Sequence, residues 1–356
     1  MIDAGKPKPR KSVIDMAPYH PPSGGRAGLM RLDFNENTVG ASPKVIEFLK
    51  QALTADRLSI YPEYAQVKLS LASFFGVKAG ELLLTNGTDE AIQVLINTYV
   101  DAGHEVLIAK PSYAMYRFYS ELAGAVVKEI AYQPPACDFP LLECLEAIGP
   151  ATRAVLISNP NNPTGSVIDL ASVELILNKA AHAVVLIDEA YFEFSGITAL
   201  GLLAKYSNLF VSRTFSKVYG MAAMRVGCLF SNAENVAAMQ KAQSPYSVNT
   251  LAALAAEAAV QDTAYVEAYI GEALGARAML EAGLDALGIT RAKSAANFVL
   301  GYFGSRAIEV RDALKDDGIL VRDRSYEIPG GVRITVGTKE QARRVLTQLE
   351  SLWQKT

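Results

Sequence analysis

The sequence predicts an α/β fold: a large domain on a mostly parallel seven-stranded sheet covered by helices, with a smaller α+β domain from the N- and C-terminal segments. Three observations predict it. From about residue 80 to 230 a short apolar run rich in Val, Ile and Leu, a polar or glycine-bearing turn and a helical stretch recur in that order. The runs are continuous rather than alternating, which means burial on both faces. Outside this block, at both ends of the chain, the rhythm is lost.

The strand runs are Leu82 to Leu84, Val106 to Ala109, Val126 to Ile130, Ala154 to Ile157, Val184 to Ile187, Leu209 to Ser212 and Val226 to Phe230. Helical patterning covers Pro43 to Leu53 and Thr263 to Leu287. A strand at Phe298 to Tyr302, a helix near Ala307 to Asp316, strands at Ile319 to Arg322 and Val332 to Val336, and a closing helix to Trp353 complete the chain. The expected division is an N-terminal arm over 1–30, a small domain from 31–55 and 263–356, and a large domain over 56–262. The two should meet over a cleft.

At 356 residues, half of them hydrophobic, the chain can bury a sizeable core. Lys+Arg 34 against Asp+Glu 37 leave a net charge of −3, which removes the usual electrostatic support for nucleic-acid or membrane-surface binding. Cys137, Cys144 and Cys228 lack C-x-x-C spacing, and His20, His104 and His182 match no metal-ligand pattern, so neither a disulfide framework nor a metal is expected. The first eleven residues carry Lys6, Lys8, Arg10 and Lys11 among prolines and read as a mobile extension, with no signal-peptide core behind them. No apolar run is long enough to span a bilayer, and a soluble, cytoplasmic protein is expected.

Three sheet-end segments carry candidate chemistry. After the strand ending at Thr85, Asn86-Gly87-Thr88-Asp89-Glu90 opens a helix, and the free N–H groups of Gly87, Thr88 and Asp89 suit either a capped turn or a phosphate site. Neither a Walker motif nor a strand-linked G-x-G-x-x-G is present, so nucleotide cofactors are disfavoured. Ala154 to Ile157 runs into the turn-former cluster Ser158 to Gly165. Val184 to Ile187 ends in Asp188-Glu189-Ala190-Tyr191, placing a carboxylate at the edge of an apolar sheet, where it should have a cationic partner. Finally, Ser212 to Gly220 sets Lys217 among hydroxyls, eight residues before Arg225. All emerge from carboxyl ends of strands, where open α/β sheets bind ligands.

This combined pattern resembles the fold-type I aminotransferases that depend on pyridoxal phosphate, and within them it is most similar to the histidinol-phosphate aminotransferase family. The likeness runs from about Ile14 to Leu352 and rests on Leu32 to Asn37, Tyr61-Pro62, Asn86 to Glu90, Pro111 to Tyr116, Asn161 to Gly165, Asp188 to Tyr191, Arg213 to Lys217 and Arg333 to Thr338. It implies that Lys217 forms a Schiff base with the cofactor aldehyde and that Asp188 pairs with the pyridinium nitrogen. Tyr191 and Asn162 bond the ring oxygen, and Tyr113 stacks on the ring. Gly87, Thr88, Ser216 and Arg225, with Thr214 nearby, hold the phosphate, joined by Tyr61 from a second subunit of a homodimer, and Asp89 belongs to the same cofactor-binding set. Arg333 grips the substrate α-carboxylate, while Tyr19 and Arg322 contact its distal group, with Arg324 a further candidate cation.

The implied reaction is a ping-pong transamination from an amino donor, best matched by histidinol phosphate, to 2-oxoglutarate. Thr38 and Ala41 stand where the family usually has prolines, and Tyr326 to Gly331 differs from the usual stretch before the carboxylate arginine. Aromatic amino-acid transamination therefore stays open as a rival, followed by threonine-phosphate decarboxylation. A non-catalytic cofactor-binding regulator of DNA is a further alternative, disfavoured by the short, proline-rich N-terminus.

Overall fold

The computed structural model describes residues 7–18 and 25–353, so Tyr19 and His20 lie outside the described residues. Among the described residues eleven strands form two sheets: β1 (Met30–Leu32), β2 (Leu82–Thr85), β3 (Glu105–Lys110), β4 (Val126–Ala131), β5 (Thr152–Ser158), β6 (Val184–Asp188), β7 (Leu209–Thr214), β8 (Gly227–Phe230), β9 (Phe298–Tyr302), β10 (Ile319–Asp323) and β11 (Gly331–Thr335). The large sheet has the order β2-β8-β7-β6-β5-β3-β4, and β3 to β7 run parallel.

Period-two alternation divides the buried strand residues between the two faces. Leu83, Val106, Ile108, Leu156, Leu186, Phe210 and Leu229 pack beneath the helices Gly87–Tyr99 and Ala233–Ala242. Their neighbours Leu84, Leu107, Val155, Ile157, Ile187, Val211 and Phe230 pack against Ala65–Phe75, Leu170–Lys179 and Thr250–Val260. The edge strand β4 alternates between covered and exposed positions instead, because it has a neighbour on one side only.

One of the seven predicted strands runs the other way. β8 is antiparallel to both β2 and β7. The connection from Thr214 to Gly227 contains no α-helix that could carry the chain back across the sheet, so the chain reverses and β8 pairs antiparallel. That connection holds Lys217.

The small sheet has the order β1-β10-β11-β9. Its β1 comes from the N-terminal segment and pairs parallel with β10, Met30 opposite Ile319. Ala276, Leu280 and Leu284 from the helix Thr263–Ala286, Val310 and Leu314 from Ala307–Asp316, and Val345 and Leu349 from Lys339–Trp353 cover it. The helix Pro43–Ala52 instead sends Val45 into the core of the large sheet. Over its described residues 7–18 the arm is docked rather than a mobile extension. Arg10 Nη2 and Ser12 Oγ both donate to the Leu122 carbonyl, which ties the short helix Lys11–Asp15 to the helix Ala114–Ala123.

A buried ion pair links Arg213, on β7, to Glu189, just past the end of β6. Arg213 Nε donates to Glu189 Oε2 at 2.7 Å, its guanidinium carbon sits 3.4 Å from the Phe192 ring centroid, and Glu189 also accepts from Thr198 and from the Ala199 N–H. Removing one member leaves the other charge unpaired in the core. Arg213→Leu is expected to lower unfolding free energy by about 3–5 kcal/mol in urea titration; a loss below about 1 kcal/mol would show that Glu189 is not held as a buried charge.

Candidate active site

The carboxyl ends of β5, β6 and β7, the start of the helix Gly87–Tyr99 and the strands β10 and β11 enclose a cavity of about 490 Å³. Asp188 is the last residue of β6, only 2% exposed, and its register partner on β7 is Ser212. Ser212 Oγ and Tyr116 OH each donate to the Asp188 carboxylate at 2.8 Å. Burial pushes the Asp188 carboxyl above the usual range, and these two bonds only partly oppose that. The cationic partner expected from the sequence is not supplied by the described residues: both side-chain bonds to Asp188 among them come from neutral hydroxyls.

Lys217 projects from the β7–β8 connection, and its Nζ donates to the Phe34 carbonyl at 3.0 Å. Burial, reinforced by the Arg333 charge, pulls its pKa down to about 8. Roughly a tenth of such amines are neutral at pH 7, against well under a thousandth for an ordinary lysine. Tyr191 stands close by, its ring centroid 5.8 Å from Lys217 Nζ and edge-on to Phe298. Asn35 Nδ2 donates to the Tyr191 hydroxyl at 2.9 Å.

On the opposite wall the glycine turn opens the helix Gly87–Tyr99. Gly87 has φ +72°, and a Cβ there would lie 2.5 Å from Arg225 Nη2, so the arginine lies directly against the turn. Arg225 also reaches Asp89 at 3.1 Å and Ser216 Oγ at 3.5 Å. The Thr214 hydroxyl donates to Ser216 Oγ and accepts the Ser216 N–H. Tyr113 OH donates to Asp89 at 2.6 Å, and burial together with that carboxylate pushes the phenol well up.

A further wall is rich in arginines. Arg333, 5% exposed, donates to Asn162 Oδ1 and, through Nη2, to the Asp33 carbonyl at 2.5 Å, while its Nε has no partner among the described residues. Burial lowers its pKa to about 10, which still leaves it charged at neutral pH. Arg322 is the direct cross-strand partner of Arg333 and stands over the Phe34 ring at 5.5 Å. Its side chain makes no hydrogen bond or ion pair among the described residues. Arg324 pairs with Glu327, and Arg26 pairs with Asp33 and Glu36.

The structure thus gathers Lys217, Asp188, Tyr191, Asn162, Tyr113, Thr88, Asp89, Thr214, Ser216, Arg225, Arg322, Arg324 and Arg333 around one cavity, with Gly87 behind Arg225. Tyr61 is not among them. It is 72% exposed and stacks on Tyr246 at 4.6 Å. Sequence reasoning missed the roles of Tyr116, Ser212, Asn35 and Arg26. Tyr116 follows Tyr113 by three positions and so shares its helix face, and Ser212 lies on the strand beside Asp188, so spacing and strand order held usable signals for both. For Asn35 and Arg26 the contacts are long-range or loop-borne, and no local pattern reports them.

This site and fold have known relatives. Residues 27–349 match the family of class I and II aminotransferases. The chain is 35% identical to the histidinol-phosphate aminotransferase of Symbiobacterium thermophilum, over 96% of this chain and 98% of that one. It is 33% identical to the Geobacillus thermodenitrificans enzyme of that name, over 97% and 94%. Among solved structures, the histidinol-phosphate aminotransferase of Clostridium acetobutylicum superposes with a TM-score of 0.85 at 25% identity, covering 92% of this chain and all of that one. The Sinorhizobium meliloti protein, crystallised with pyridoxal-5'-phosphate, shares the fold at a TM-score of 0.86 and 22% identity, over 99% of each chain. The chain belongs to the class I and II aminotransferases, fold-type I enzymes that work with pyridoxal phosphate.

The residues present fit that cofactor. A buried carboxylate with only neutral donors suits a protonated ring nitrogen, a lysine with a depressed pKa suits an aldehyde, and the Gly87 turn with Arg225 suits a phosphate.

Proposed function

We propose that the chain transfers the amino group of histidinol phosphate to a 2-oxo acid, 2-oxoglutarate being the best match, in two half-reactions that use one site in turn. The observation that carries this reading is the Arg322–Arg333 pair. Like charges placed directly opposite on antiparallel strands repel, and an anionic substrate offsets that repulsion. The acceptor's α-carboxylate is bonded to the reacting carbon and the donor's phosphate lies one CH2–O link away from it, so both anions come within reach of the same two arginines, with Arg324 as a further cation.

When bound, pyridoxal phosphate supplies the aldehyde that Lys217 and the substrate amine share and the ring that accepts the α-carbon's electron pair. Asp188 holds the proton on the ring nitrogen, with Tyr116 and Ser212 keeping its carboxylate in place. Lys217 Nζ anchors the cofactor and, once displaced by substrate, moves the α-proton. Tyr191 and Asn162 would bond the ring oxygen, and Tyr113 would stack on the ring. Thr88, Ser216, Arg225 and the Gly87 N–H hold the phosphate; Thr214 orients Ser216, and Asp89 steadies Arg225. Exposed Leu58, Ile60, Tyr61 and Tyr246 support a homodimer in which Tyr61 completes the partner's phosphate site. Three free, buried cysteines support a reducing, cytoplasmic setting, and no helix among the described residues is long and apolar enough to cross a membrane.

The test follows the first half-reaction by absorbance with single donors. Histidinol phosphate is expected to react with a kcat/KM at least about 100-fold above phenylalanine, the discrimination that one well-placed charge pair supplies. Equal or better reaction of phenylalanine would transfer the reading to aromatic amino acids, and release of carbon dioxide from threonine phosphate would make it a decarboxylase. The phosphate site has its own check. Gly87→Ala is expected to weaken cofactor retention about tenfold or more in dialysis, because the new Cβ displaces Arg225 and the positive φ is strained; unchanged retention would remove Gly87 from the site.

A further inference from the structure

The loop Asp33-Phe34-Asn35 reaches three groups of the site at once: the Asp33 carbonyl accepts from Arg333, the Phe34 carbonyl from Lys217, and Asn35 donates to Tyr191. Asn35 is buried, 1% exposed, and holds φ +56°, a left-handed conformation that asparagine tolerates better than most residues. That conformation turns both its backbone N–H and its side chain toward Thr335.

The direction of each bond follows from the one donor that cannot reverse. Asn35 N–H donates to Thr335 Oγ1 at 2.9 Å. The threonine proton is then free to go to Asn35 Oδ1, 3.0 Å away. With its carbonyl oxygen so engaged, the amide presents its NH2 group to Tyr191, at 2.9 Å. Tyr191 must therefore accept, and its own proton turns away from Asn35 toward the cavity it lines. Asn297 Nδ2 pins the Asn35 carbonyl at 3.1 Å.

We propose that Asn35 is a positioning residue that makes Tyr191 a one-way hydrogen-bond donor into the cavity, toward the ring oxygen of the bound cofactor. This rests on the placement of Tyr191 against that oxygen given above. A donor there bonds more strongly as the oxygen becomes more negative, which happens when the Lys217–cofactor link loses its proton. Asn35 thus lowers the pH at which the link deprotonates.

The test titrates the absorption of the link in purified holoenzyme, for the wild type, Asn35→Gly, Tyr191→Phe and the double variant. Glycine accepts φ +56°, so the turn is kept while the amide is lost. Tyr191→Phe is expected to raise the midpoint by about 1 pH unit or more, and Asn35→Gly by a smaller amount in the same direction. In the Phe background Asn35→Gly should add nothing. Thr335→Val, which leaves Asn35 in place but frees its amide to turn, should behave as Asn35→Gly does and supplies the comparison if the glycine variant does not fold. A wild-type midpoint in Asn35→Gly and Thr335→Val beside a shifted Tyr191→Phe overturns the proposal and leaves the role of Tyr191 standing. An equal shift from Asn35→Gly with and without the tyrosine hydroxyl also overturns it. An unmoved Tyr191→Phe removes both the earlier placement and the proposal.

Discussion

Lys217→Ala is expected to yield a folded protein whose turnover is at least about 10⁴-fold below wild type, the range lost with a positioned proton-transfer group that also anchors the cofactor. Folding should survive because the lysine's hydrogen bond goes to a single carbonyl, that of Phe34, and its charge is already disfavoured by burial. Depressed to about 8, the amine sheds its proton as pH rises through that value. In apoprotein mixed with pyridoxal phosphate, the rate of attachment should therefore climb from pH 6 and level off above about 9. The linkage has the opposite sign to that of a salt-bridged lysine. Between about 8 and the ordinary lysine value the unfolded chain binds more protons than the folded one, so this group makes the apoprotein more stable with rising pH across that window. Normal activity in the alanine variant, or attachment that is flat in pH, would reject the role.

Asp188→Asn carries the second large effect. An amide cannot hold the ring-nitrogen proton through a charge, and kcat should fall at least about 10³-fold, as when a preorganised electrostatic group is removed from a water-excluded site. Stability is expected to move differently. The folded carboxyl titrates above its usual range, so at neutral pH the ionised group opposes folding, and its contribution worsens as pH climbs from the ordinary aspartate value through the raised one. The asparagine variant removes that opposition, and its apoprotein should melt no lower than wild type. Lost activity with undiminished melting temperature marks a functional carboxylate. A large drop in melting temperature would show that Asp188 serves the fold, with Tyr116 and Ser212 as its structural partners.

Legibility in the sequence followed the range of the interactions. The seven strands of the large sheet were readable because each is a local run of Val, Ile and Leu buried on both faces, and the glycine turn before Thr88 because its chemistry sits in consecutive residues. The direction of β8 was not, since an apolar run looks the same either way and only the helix-free connection fixes it. β1 was missed because three residues, Met30-Arg31-Leu32, are too few to show a pattern and acquire meaning only when paired with β10. The resemblance carried Lys217, Asp188 and Arg333 to their positions. The cross-strand opposition of Arg322 and Arg333, by contrast, depends on the register of β10 against β11, which the eight residues between Arg322 and Gly331 do not reveal.

The pairing of β1 with β10, and of Asn35 with Thr335 across 300 positions, has a consequence for biosynthesis. A chain emerging from the ribosome makes the large sheet long before the last strands exist, and until then Asp33 and Asn35 have neither Arg333 nor Thr335 to meet. Newly made molecules should consequently lack the Arg333 and Thr335 contacts until termination, so that a translation product truncated before β11 has no complete substrate site.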